Sequence, residues 1–496
     1  MEADTEVVVI GNGPAGLSLS AFLAGARPFY DAATPHPDRA LHKQLKRMKH
    51  LSIIDQDLSW TEGLVEGGGP IRPFSHLYDS LVRPLAEAST SQSSCLQWIV
   101  VPPLAVPHVV LGSSAIGGSW NTHDPQMTAV SSREWLNLPG VSISDCLGSE
   151  GAMRLPAAAV AEYMGEYVKR MGISPFIQPG TTVHSITKVD GVWLVEGVDD
   201  DGAPFSLTTR RVVMATGKMI PRTLEVEGEE EREYVVYDVT GLKKALSRGK
   251  TTRVLVVGDG ISSADAVAEC LRRGIAVVHA MRKTDHELRR SLMARLSPSL
   301  YPEYAGVHRL MVARVQNALY TRRVGSSVVS LTPSGEVCLR TPRGLVKESF
   351  SVVAACVGKR SDMDRLFSSP LSFGPDYRCE DDPSVWRVGS VSGDHYVRFL
   401  VGGSMQVAQQ IITDVKLQAP RACTNGVQCN NRGTCMGTVA TFFCLCELGY
   451  SGRNCHETVC DSARDCNGRG LCLGTTTELT CLCNLGYKGK HCEHKA

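Results

Sequence analysis

A glycine-rich turn near the start of the chain has the residue types and spacing that cradle a nucleotide pyrophosphate. Residues 11–16 read G-N-G-P-A-G, after a strand-like run and before a helix-like run. Gly11 permits the tight turn, Gly13 lets the backbone approach a pyrophosphate, and Gly16 lets the helix pack on the strand. The helix N-terminus then faces the phosphate charge. The predicted contacts are Gly11, Gly13, Pro14 and Gly16, and the alternative is a glycine turn in a dinucleotide fold that has lost its ligand.

A second turn of the same kind predicts a second nucleotide. Residues 258–263 read G-D-G-I-S-S, and Ser263 replaces the third glycine while still permitting close packing. The next strand ends at Arg282 and Lys283, where a carboxylate would favour NAD and paired cations suit the 2′-phosphate of NADP. An NADP site is therefore predicted, with a solvated basic strand end as the alternative. The predicted contacts are Gly258, Gly260, Ser262, Ser263, Arg282 and Lys283.

The first cradle needs an acidic residue for the ribose about 20 residues after its first glycine. Asp31 lies at about that distance and follows the short run Pro28-Phe29-Tyr30. Asp31 is therefore the predicted ribose contact, and a solvated loop aspartate is the alternative.

Each cradle is followed by the same pattern, a β-hairpin and a return strand that ends in glycine. The first copy occupies residues 182–217 and the second occupies residues 327–358. This repetition predicts an α/β fold with two Rossmann-type dinucleotide-binding domains, the second inserted in the first. Two cradles, one suited to NADP, are typical of a flavoprotein that NADPH reduces. The predicted boundaries are 1–222 for the first part of the FAD-binding domain, 223–326 for the NADP-binding domain and 327–417 for the return part of the FAD-binding domain.

Cysteine divides the chain at residue 422. Of the 18 cysteines, twelve follow that residue in two arrays of identical spacing, C-x5-C-x5-C-x8-C-x-C-x8-C. Units this short cannot bury enough apolar surface to fold alone, so they need cross-links. Zinc is the competing use of dense cysteine, but C-x2-C pairs and histidines in register are missing. Two disulfide-rich modules are predicted, at residues 418–456 and 457–496.

Composition excludes several function classes. Lys plus Arg is 52 and Asp plus Glu is 51, so the chain as a whole has no basic field for nucleic acid or anionic lipid. No apolar run approaches the roughly 20 residues of a transmembrane helix. The tail cysteines imply an oxidising compartment, either the ER lumen or the extracellular space. No secretory signal is visible at the start, so the compartment stays open.

Residues 1–417 resemble flavin-containing monooxygenases at three motifs. Residues 212–217 look like the strand of that superfamily that ends in A-T-G, and residues 117–120 are similar to its G-G-x-W segment under the flavin. Residues 258–265 match its G-x-G-x-S-[GA]-x-D turn for NADP, with Ser263 at the Gly/Ala position. The resemblance implies FAD in the first cradle and NADPH in the second. The further FAD contacts that it implies are Gly117, Gly118, Trp120, Thr216 and Gly217.

More closely still, residues 5–417 resemble the oxidative stress-induced growth inhibitor family, a branch of that superfamily. The blocks that carry this resemblance are residues 9–14, 52–58, 99–118, 300–304 and 389–403. By this resemblance, Asp394 would bond the ribityl chain of the flavin and Gly403 would open a helix at the flavin ring. The cysteine-rich tail is a departure from that family.

The tail resembles tandem EGF-like modules. Six cysteines alone allow fifteen pairings, and the resemblance implies first-to-third, second-to-fourth and fifth-to-sixth. The implied pairs are Cys423–Cys435, Cys429–Cys444, Cys446–Cys455, Cys460–Cys472, Cys466–Cys481 and Cys483–Cys492. The acidic cluster that precedes calcium-binding members is missing, so no metal is expected. Such modules usually bind partners or act as spacers, so a protein partner is expected at the tail.

Two features bear on the reaction. Hydroxylating and Baeyer–Villiger members of the superfamily carry F-x-G-x-x-x-H between the cradles, whereas residues 226–232 read V-E-G-E-E-E-R. Ser131 and Ser132 are candidate donors toward the C4a edge of the flavin, with loop-capping serines as the alternative. The resulting hypothesis is a monooxygenase, dependent on FAD and NADPH, that uses oxygen and a C4a-hydroperoxyflavin to oxygenate nitrogen, sulfur or activated carbon in a small-molecule substrate. The alternatives are an NADPH oxidase that releases hydrogen peroxide, and a regulatory or adhesive protein that uses the flavin fold as a scaffold.

Overall fold

The computed structural model describes residues 2–64, 72–86, 93–230, 232–249, 251–418, 423–438 and 442–496. The chain divides into two compact units, Met1–Gln409 and Gln410–Ala496. Residues 419–422, at the start of the first predicted disulfide-rich module, lie outside the described residues, as does Glu231 in the stretch between the cradles.

The first unit combines strands and helices, as an α/β fold requires. Its strands are β1 (Thr5–Ile10), β2 (Ala26–Tyr30), β3 (Leu96–Val100), β4 (His108–Gly112), β5 (Ile177–Pro179), β6 (Thr181–Val189), β7 (Val192–Asp199), β8 (Pro204–Met214), β9 (Ile220–Pro221), β10 (Val235–Val236), β11 (Arg253–Val257), β12 (Ala276–Met281), β13 (Tyr320–Val324), β14 (Ser327–Leu331), β15 (Glu336–Thr341), β16 (Gly344–Ser349), β17 (Val352–Ala355), β18 (Lys359–Arg360) and β19 (Val385–Arg387). The helices are α1 (Pro14–Leu23), α2 (Arg39–Arg47), α3 (Pro73–Val82), α4 (Ile143–Leu147), α5 (Ala157–Arg170), α6 (Val239–Ser247), α7 (Ile261–Arg272), α8 (Asp285–Leu288), α9 (Leu292–Arg295), α10 (Pro302–Met311) and α11 (Val397–Gln418), the last of which runs into the second unit.

The first cradle rests on a sheet with the order β5-β4-β1-β8-β7-β6, and β19 also pairs with β8. β1 lies inside this sheet, between β4 and β8. Its residues Val7, Val8 and Val9 are completely buried, as expected for a strand covered on both faces. β1 pairs in parallel with β4 and β8, so the ends of these strands meet at one edge of the sheet. Ligands of open α/β sheets bind outside the carboxyl ends of the strands.

The position of β2 corrects the assignment of Asp31. β2 pairs antiparallel with β3 in a separate two-stranded sheet, and β4 takes the place beside β1. A ribose on the first cradle is therefore expected at the end of β4, near Ser113, and not at Asp31. The Asp31 carboxylate instead accepts hydrogen bonds from the Ala33 N–H (2.9 Å) and the Thr34 hydroxyl (3.1 Å) within its own turn.

The second cradle lies on its own parallel sheet, with the order β10-β17-β11-β12-β13. The three-stranded sheet β14–β16 covers it, because Val328 and Leu339 share a buried cluster with Leu255 of β11. β17 then pairs with β11 inside the second sheet. The prediction that the NADP-binding domain ends at residue 326 is therefore wrong, because the chain pairs with the first sheet again only at β19.

The first half of α11 joins the end of the first unit to the first cradle. Ser404 donates a hydrogen bond to the carbonyl of Ala15 on α1 (3.2 Å). Arg398 forms a buried ion pair with Asp79 of α3 (2.5 Å) and lies 4.3 Å from the ring centre of Trp135. Among the residues that the structure describes, no helix is both long and apolar enough to span a membrane.

The second unit contains two small modules of the same structure. The first has α12 (Asn425–Gln428), β20 (Gly433–Gly437), β21 (Phe442–Cys446), β22 (Tyr450–Ser451) and β23 (Glu457–Thr458). The second has α13 (Ser462–Asp465), β24 (Gly470–Gly474), β25 (Leu479–Cys483), β26 (Tyr487–Lys488) and β27 (His494–Lys495). The disulfides are the six pairs that the EGF-like resemblance implied: Cys423–Cys435, Cys429–Cys444, Cys446–Cys455, Cys460–Cys472, Cys466–Cys481 and Cys483–Cys492.

Candidate cofactor and substrate site

The first cradle is closed by backbone everywhere except over its second glycine. Gly11 has a φ of +118°, and a Cβ added there would lie 2.4 Å from the carbonyl oxygen of Ala215. A Cβ at Gly16 would lie 1.9 Å from the carbonyl oxygen of Gly11. A Cβ at Gly13 would meet no atom within 4 Å. The space above Gly13, at the start of α1, is therefore where a pyrophosphate could approach the backbone.

The G-G-S-W segment lies directly against this cradle. The Gly117 N–H donates to the Asn12 carbonyl (3.0 Å), and the Asn12 side chain donates to the Ser114 carbonyl (2.7 Å). A Cβ at Gly118 would lie only 3.0 Å from the Cα of Gly13. Glycine is needed at residue 118 because the two loops touch backbone to backbone there, and at residue 117 because its φ is +112°. Trp120 follows them, half-buried, with its ring edge toward His123.

Thr216 gives the strongest indication that the first cradle holds a ligand. Its hydroxyl oxygen is buried and has no hydrogen-bond partner among the described residues. Burying a hydroxyl without a partner costs about 1–3 kcal/mol, so such groups are normally satisfied. Thr216 directly follows Ala215, whose carbonyl abuts Gly11. A polar group of a bound dinucleotide would satisfy this hydroxyl.

Asp394 and Gly403 lie together beside the first cradle. A Cβ at Gly403 would lie 2.9 Å from a carboxylate oxygen of Asp394 and 2.5 Å from the Tyr377 hydroxyl. Arg72 donates to Asp394 (2.9 Å), and Tyr377 also bonds its carboxylate. Burial raises the pKa of Asp394 despite these partners. Gly403 adjoins Ser404, which bonds α1, so both residues are near enough to the cradle to contact a dinucleotide there.

The second cradle repeats the geometry of the first. Gly258 has a φ of +129°, and its added Cβ would lie 2.3 Å from the carbonyl oxygen of Cys356 on the return strand. A Cβ at Gly260 would meet no atom within 4 Å. Ser263 is buried and donates to the Gly260 carbonyl (2.7 Å), so a serine fits where the first cradle has glycine.

The two cations after β12 differ in their surroundings. Arg282 is exposed, whereas Lys283 pairs with Asp259 inside the cradle turn at 2.7 Å. Lys283 is thus held at the cradle, and Arg282 is free to reach a ligand at the same strand end. A 2′-phosphate would compete with Asp259 for Lys283.

A cavity of about 550 Å³ opens beside the second cradle, between the two domains of the first unit. One wall is the segment from Thr122 to Thr128 with Arg154, and the other wall is formed by α6, α7, α10 and the end of β17. Ser262 and Gly358 connect the cavity to the cradle. The adenosine end of a nucleotide is expected on the β12 side, so the nicotinamide end would point toward this cavity. Its volume suits a small organic molecule beside a nicotinamide ring.

Ionic contacts hold the two walls together. Lys243 of α6 pairs with Asp124, and Arg154 pairs with Glu303 of α10 (2.6 Å). The Arg154 guanidinium also lies 4.5 Å from the ring centre of Tyr301. Each of these two ion pairs joins one wall of the cavity to the other.

Asp265 is a half-buried carboxyl group in this cavity. Burial raises its pKa to about 6, although Tyr304 donates a hydrogen bond to it. Burial, and next the charge of Lys359, lower the pKa of His123 on the opposite wall. Strongly shifted groups in a cleft are typical of functional sites. Asp265 and His123 are therefore two cavity-lining groups whose pKa values are shifted, mainly by burial.

We expect Asp265→Asn to stabilise the protein at pH 8 and to leave its stability unchanged at pH 4. The folded-state pKa is above the unfolded value, so the folded state binds more protons between about pH 4 and 6 and loses stability as the pH rises through that window. Above this pH window the loss of unfolding free energy is constant, about 2 kcal/mol for a half-buried group. Thermal midpoints at the two pH values measure the effect, with the exposed Asp201→Asn as the control. An equal gain at both pH values would contradict the assignment.

Ser131 and Ser132 are not among the residues that line the cavity. Ser131 is buried, and Ser132 accepts from the Trp135 N–H (3.0 Å) through its carbonyl, at the start of a short 3₁₀ turn. The ring of Trp135 packs against the guanidinium of Arg398, a contact that belongs to the fold of the first unit. The role of the two serines stays a prediction.

The chain is similar to known proteins over most of its length. A family model described as pyridine nucleotide-disulphide oxidoreductase matches residues 104–372. An oxidative stress induced growth inhibitor homolog of Caenorhabditis elegans is 40% identical over 82% of this chain and 94% of its own length. The chain belongs to the oxidative stress-induced growth inhibitor family. Human oxidative stress-induced growth inhibitor 2 is 30% identical over 83% of this chain and 94% of its own length.

Solved structures place this growth inhibitor family member in a known flavoprotein fold. Bacillithiol disulfide reductase from Bacillus cereus superposes with a TM-score of 0.55 at 15% identity, over 83% of this chain and 99% of its own. Ornithine hydroxylase from Pseudomonas aeruginosa gives a TM-score of 0.53 at 14% identity, over 83% and 99%. At such identities the likeness concerns the fold alone, and the chemistry depends on the residues of this chain.

Proposed function

We propose that this growth inhibitor family member is a monooxygenase that uses FAD and NADPH to oxygenate a small organic molecule at nitrogen, sulfur or activated carbon. The observation that carries the proposal is the pair of matching cradles, each open only over its second glycine, with a cavity beside the second one. One cradle for a flavin and one for its reductant are what a nicotinamide-dependent flavoprotein needs.

The residues of the first cradle fit FAD. Gly11, Gly13 and α1 would hold the pyrophosphate, and the unpartnered hydroxyl of Thr216 would gain a bond. Asp394 would accept from the ribityl hydroxyls, since its charge is already balanced by Arg72. When bound, the flavin supplies hydride acceptance from NADPH and activation of oxygen. The part of the chain itself would be to orient the flavin through these contacts.

Disulfide reduction, the activity after which the matching family and one of the solved structures are named, is a poor fit to this chain. Six cysteines in the described residues are free: Cys95, Cys146, Cys270, Cys338, Cys356 and Cys379. They are far apart in sequence, and no C-x-x-C motif occurs among them. Cys356 is nearest the second cradle, and burial raises its thiol pKa to about 12. A thiol held protonated cannot serve as the nucleophile that dithiol exchange needs.

The absence of F-x-G-x-x-x-H between the cradles favours a second candidate, an NADPH oxidase. If the domains are coupled loosely, reduced flavin would react with oxygen and release hydrogen peroxide. The ion pairs Lys243–Asp124 and Arg154–Glu303 oppose this reading, since they join the domains on both sides of the cavity.

The tail serves the proposed enzyme as a binding module or spacer, with a protein as its expected partner. Six disulfides indicate folding in an oxidising compartment. The identity of that compartment, whether ER lumen or extracellular space, belongs to the proposal.

The cofactor part of the proposal is tested by anaerobic reduction of the bound flavin. We expect NADPH to reduce the flavin far better than NADH. We expect Arg282→Ala or Lys283→Ala to lower the second-order rate constant of reduction by NADPH about 10- to 150-fold. That range corresponds to the loss of one hydrogen bond to a charged group, which contributes about 1.5–3 kcal/mol of binding free energy. Reduction by NADH is the internal control and is expected to stay unchanged. If both variants retain the wild-type preference, the strand end is a solvated basic surface and the NADP assignment fails.

A further inference from the structure

Helix α2 carries a row of exposed cations on one face. Arg39, Lys43, Lys46 and Arg47, called the basic stripe below, are all exposed. Their spacing of four, three and one residues places them on the same side of a helix. The opposite side bears Leu41 and Leu45, which are 8% and 0% exposed and fix α2 on the fold. The stripe therefore faces away from the protein and is held rigidly in that orientation.

The charges of the basic stripe are not compensated locally. None of its four cations forms an ion pair with a described residue. No Asp or Glu occurs from Arg39 to Ile54, and Lys49 extends the positive segment. The nearest carboxylate in sequence, Asp38, is engaged as the N-cap of α2, where it accepts from the Ala40 and Leu41 N–H groups.

This local field corrects the inference from composition. The balance of 52 cations and 51 anions argued against an anionic partner, but net charge does not describe a field that is concentrated on one helix. The stripe runs over the nine residues from Arg39 to Arg47 and is about 12 Å long. Regularly spaced cations of that length suit a linear polyanion better than a single phosphate.

We propose that the basic stripe binds a sulfated polysaccharide. Clusters of five to eight residues rich in Lys and Arg are typical of sites for nucleic acid and heparin. The six disulfides of the tail point to an oxidising compartment. In the extracellular space, one of the two such compartments considered above, sulfated polysaccharides and not nucleic acids are the abundant polyanions. The guanidinium groups of Arg39 and Arg47 can bond a sulfate with two N–H groups, as they do a phosphate.

An anionic membrane fits the stripe less well. Membrane-bound amphipathic helices insert apolar side chains from the face that meets the lipid. Here the two leucines of α2 are buried in the protein, and the exposed apolar side chains near the stripe are the small Ala40 and Met48, which is 36% exposed. The helix could contact lipid headgroups through charge alone, which gives the experiment its competing outcome.

The test measures binding of the full-length protein to immobilised heparin at about 0.15 M salt. We expect the wild type to bind, with affinity that falls steeply as salt rises. The variant with Arg39→Gln, Lys43→Gln, Lys46→Gln and Arg47→Gln is expected to lose at least about tenfold in affinity. A matched control removes four exposed cations elsewhere and is expected to stay within about twofold of wild type. Its substitutions are Lys244→Gln, Arg248→Gln, Arg289→Gln and Arg290→Gln.

Four further measurements make the outcome decisive. FAD content and thermal midpoint establish that both variants fold. Hyaluronan, which has carboxylates and no sulfates, is expected to bind at least about tenfold more weakly than heparin. Vesicles with and without phosphatidylserine report lipid binding. The proposal is overturned if heparin does not bind, if the control variant loses as much affinity as the stripe variant, if hyaluronan binds equally, or if phosphatidylserine vesicles bind more tightly than heparin.

Discussion

Gly13→Leu is expected to give a folded protein without flavin. Gly13 has a φ of −78°, which any residue adopts, and an added Cβ would meet no protein atom within 4 Å. The leucine side chain would instead fill the space that the pyrophosphate needs. After gel filtration, the FAD released on denaturation should fall from about one per chain to less than about a tenth of that.

The neighbouring glycine supplies the contrast for this experiment. Gly11→Leu would place a Cβ 2.4 Å from the Ala215 carbonyl oxygen at a φ of +118°, so it should yield insoluble protein. Circular dichroism and the thermal midpoint distinguish the two outcomes. If Gly13→Leu keeps a full complement of FAD, the space over this glycine does not receive the pyrophosphate and the first cradle is assigned incorrectly.

Gly260→Leu is expected to keep FAD and to lose reduction by NADPH. Gly260 has the same open position in the second cradle, with a φ of −96° and no atom within 4 Å of an added Cβ. Several charge-assisted hydrogen bonds to the pyrophosphate would be lost, each worth about 1.5–3 kcal/mol, so reduction should slow at least about 100-fold. Dithionite should still reduce the flavin. Normal NADPH reduction in this variant would show that the reductant binds elsewhere.

The glycines of both cradles could be predicted because their roles are local. Only a strand, a tight turn and a helix are needed, and these are adjacent in sequence. The cysteine arrays were readable for the same reason, since their spacing repeats over short distances. In both cases the residues that matter lie within a few positions of one another.

Asp31 could not be assigned correctly because its rule depends on which strand lies beside β1. The rule assumes that the next strand in sequence is the neighbour in the sheet. Here β2 pairs with β3, and the chain makes a long excursion through α2 and α3 before β4 reaches that place. Likewise, the hairpin pattern at residues 327–349 did not indicate that these strands cover the second sheet.

The cavity between the domains was missed entirely. Its walls come from segments around residues 123, 154, 240, 265 and 303, and each segment by itself resembles an ordinary polar surface. The signal that could have found part of it is Asp265, a carboxylate on the inner side of a helix in the NADP motif. Only the fold shows that His123 and Asp265 line the same space.

In the proposed reaction, oxygen from air enters an organic product. The most direct test incubates the FAD-loaded protein with NADPH, isotopically labelled oxygen and a panel of amines, sulfides and ketones, followed by mass spectrometry and a peroxide assay. We predict one labelled oxygen atom in a product for each NADPH consumed with at least one substrate class. If all the oxygen consumed across the panel appears as hydrogen peroxide, the monooxygenase assignment is contradicted and the protein is an NADPH oxidase.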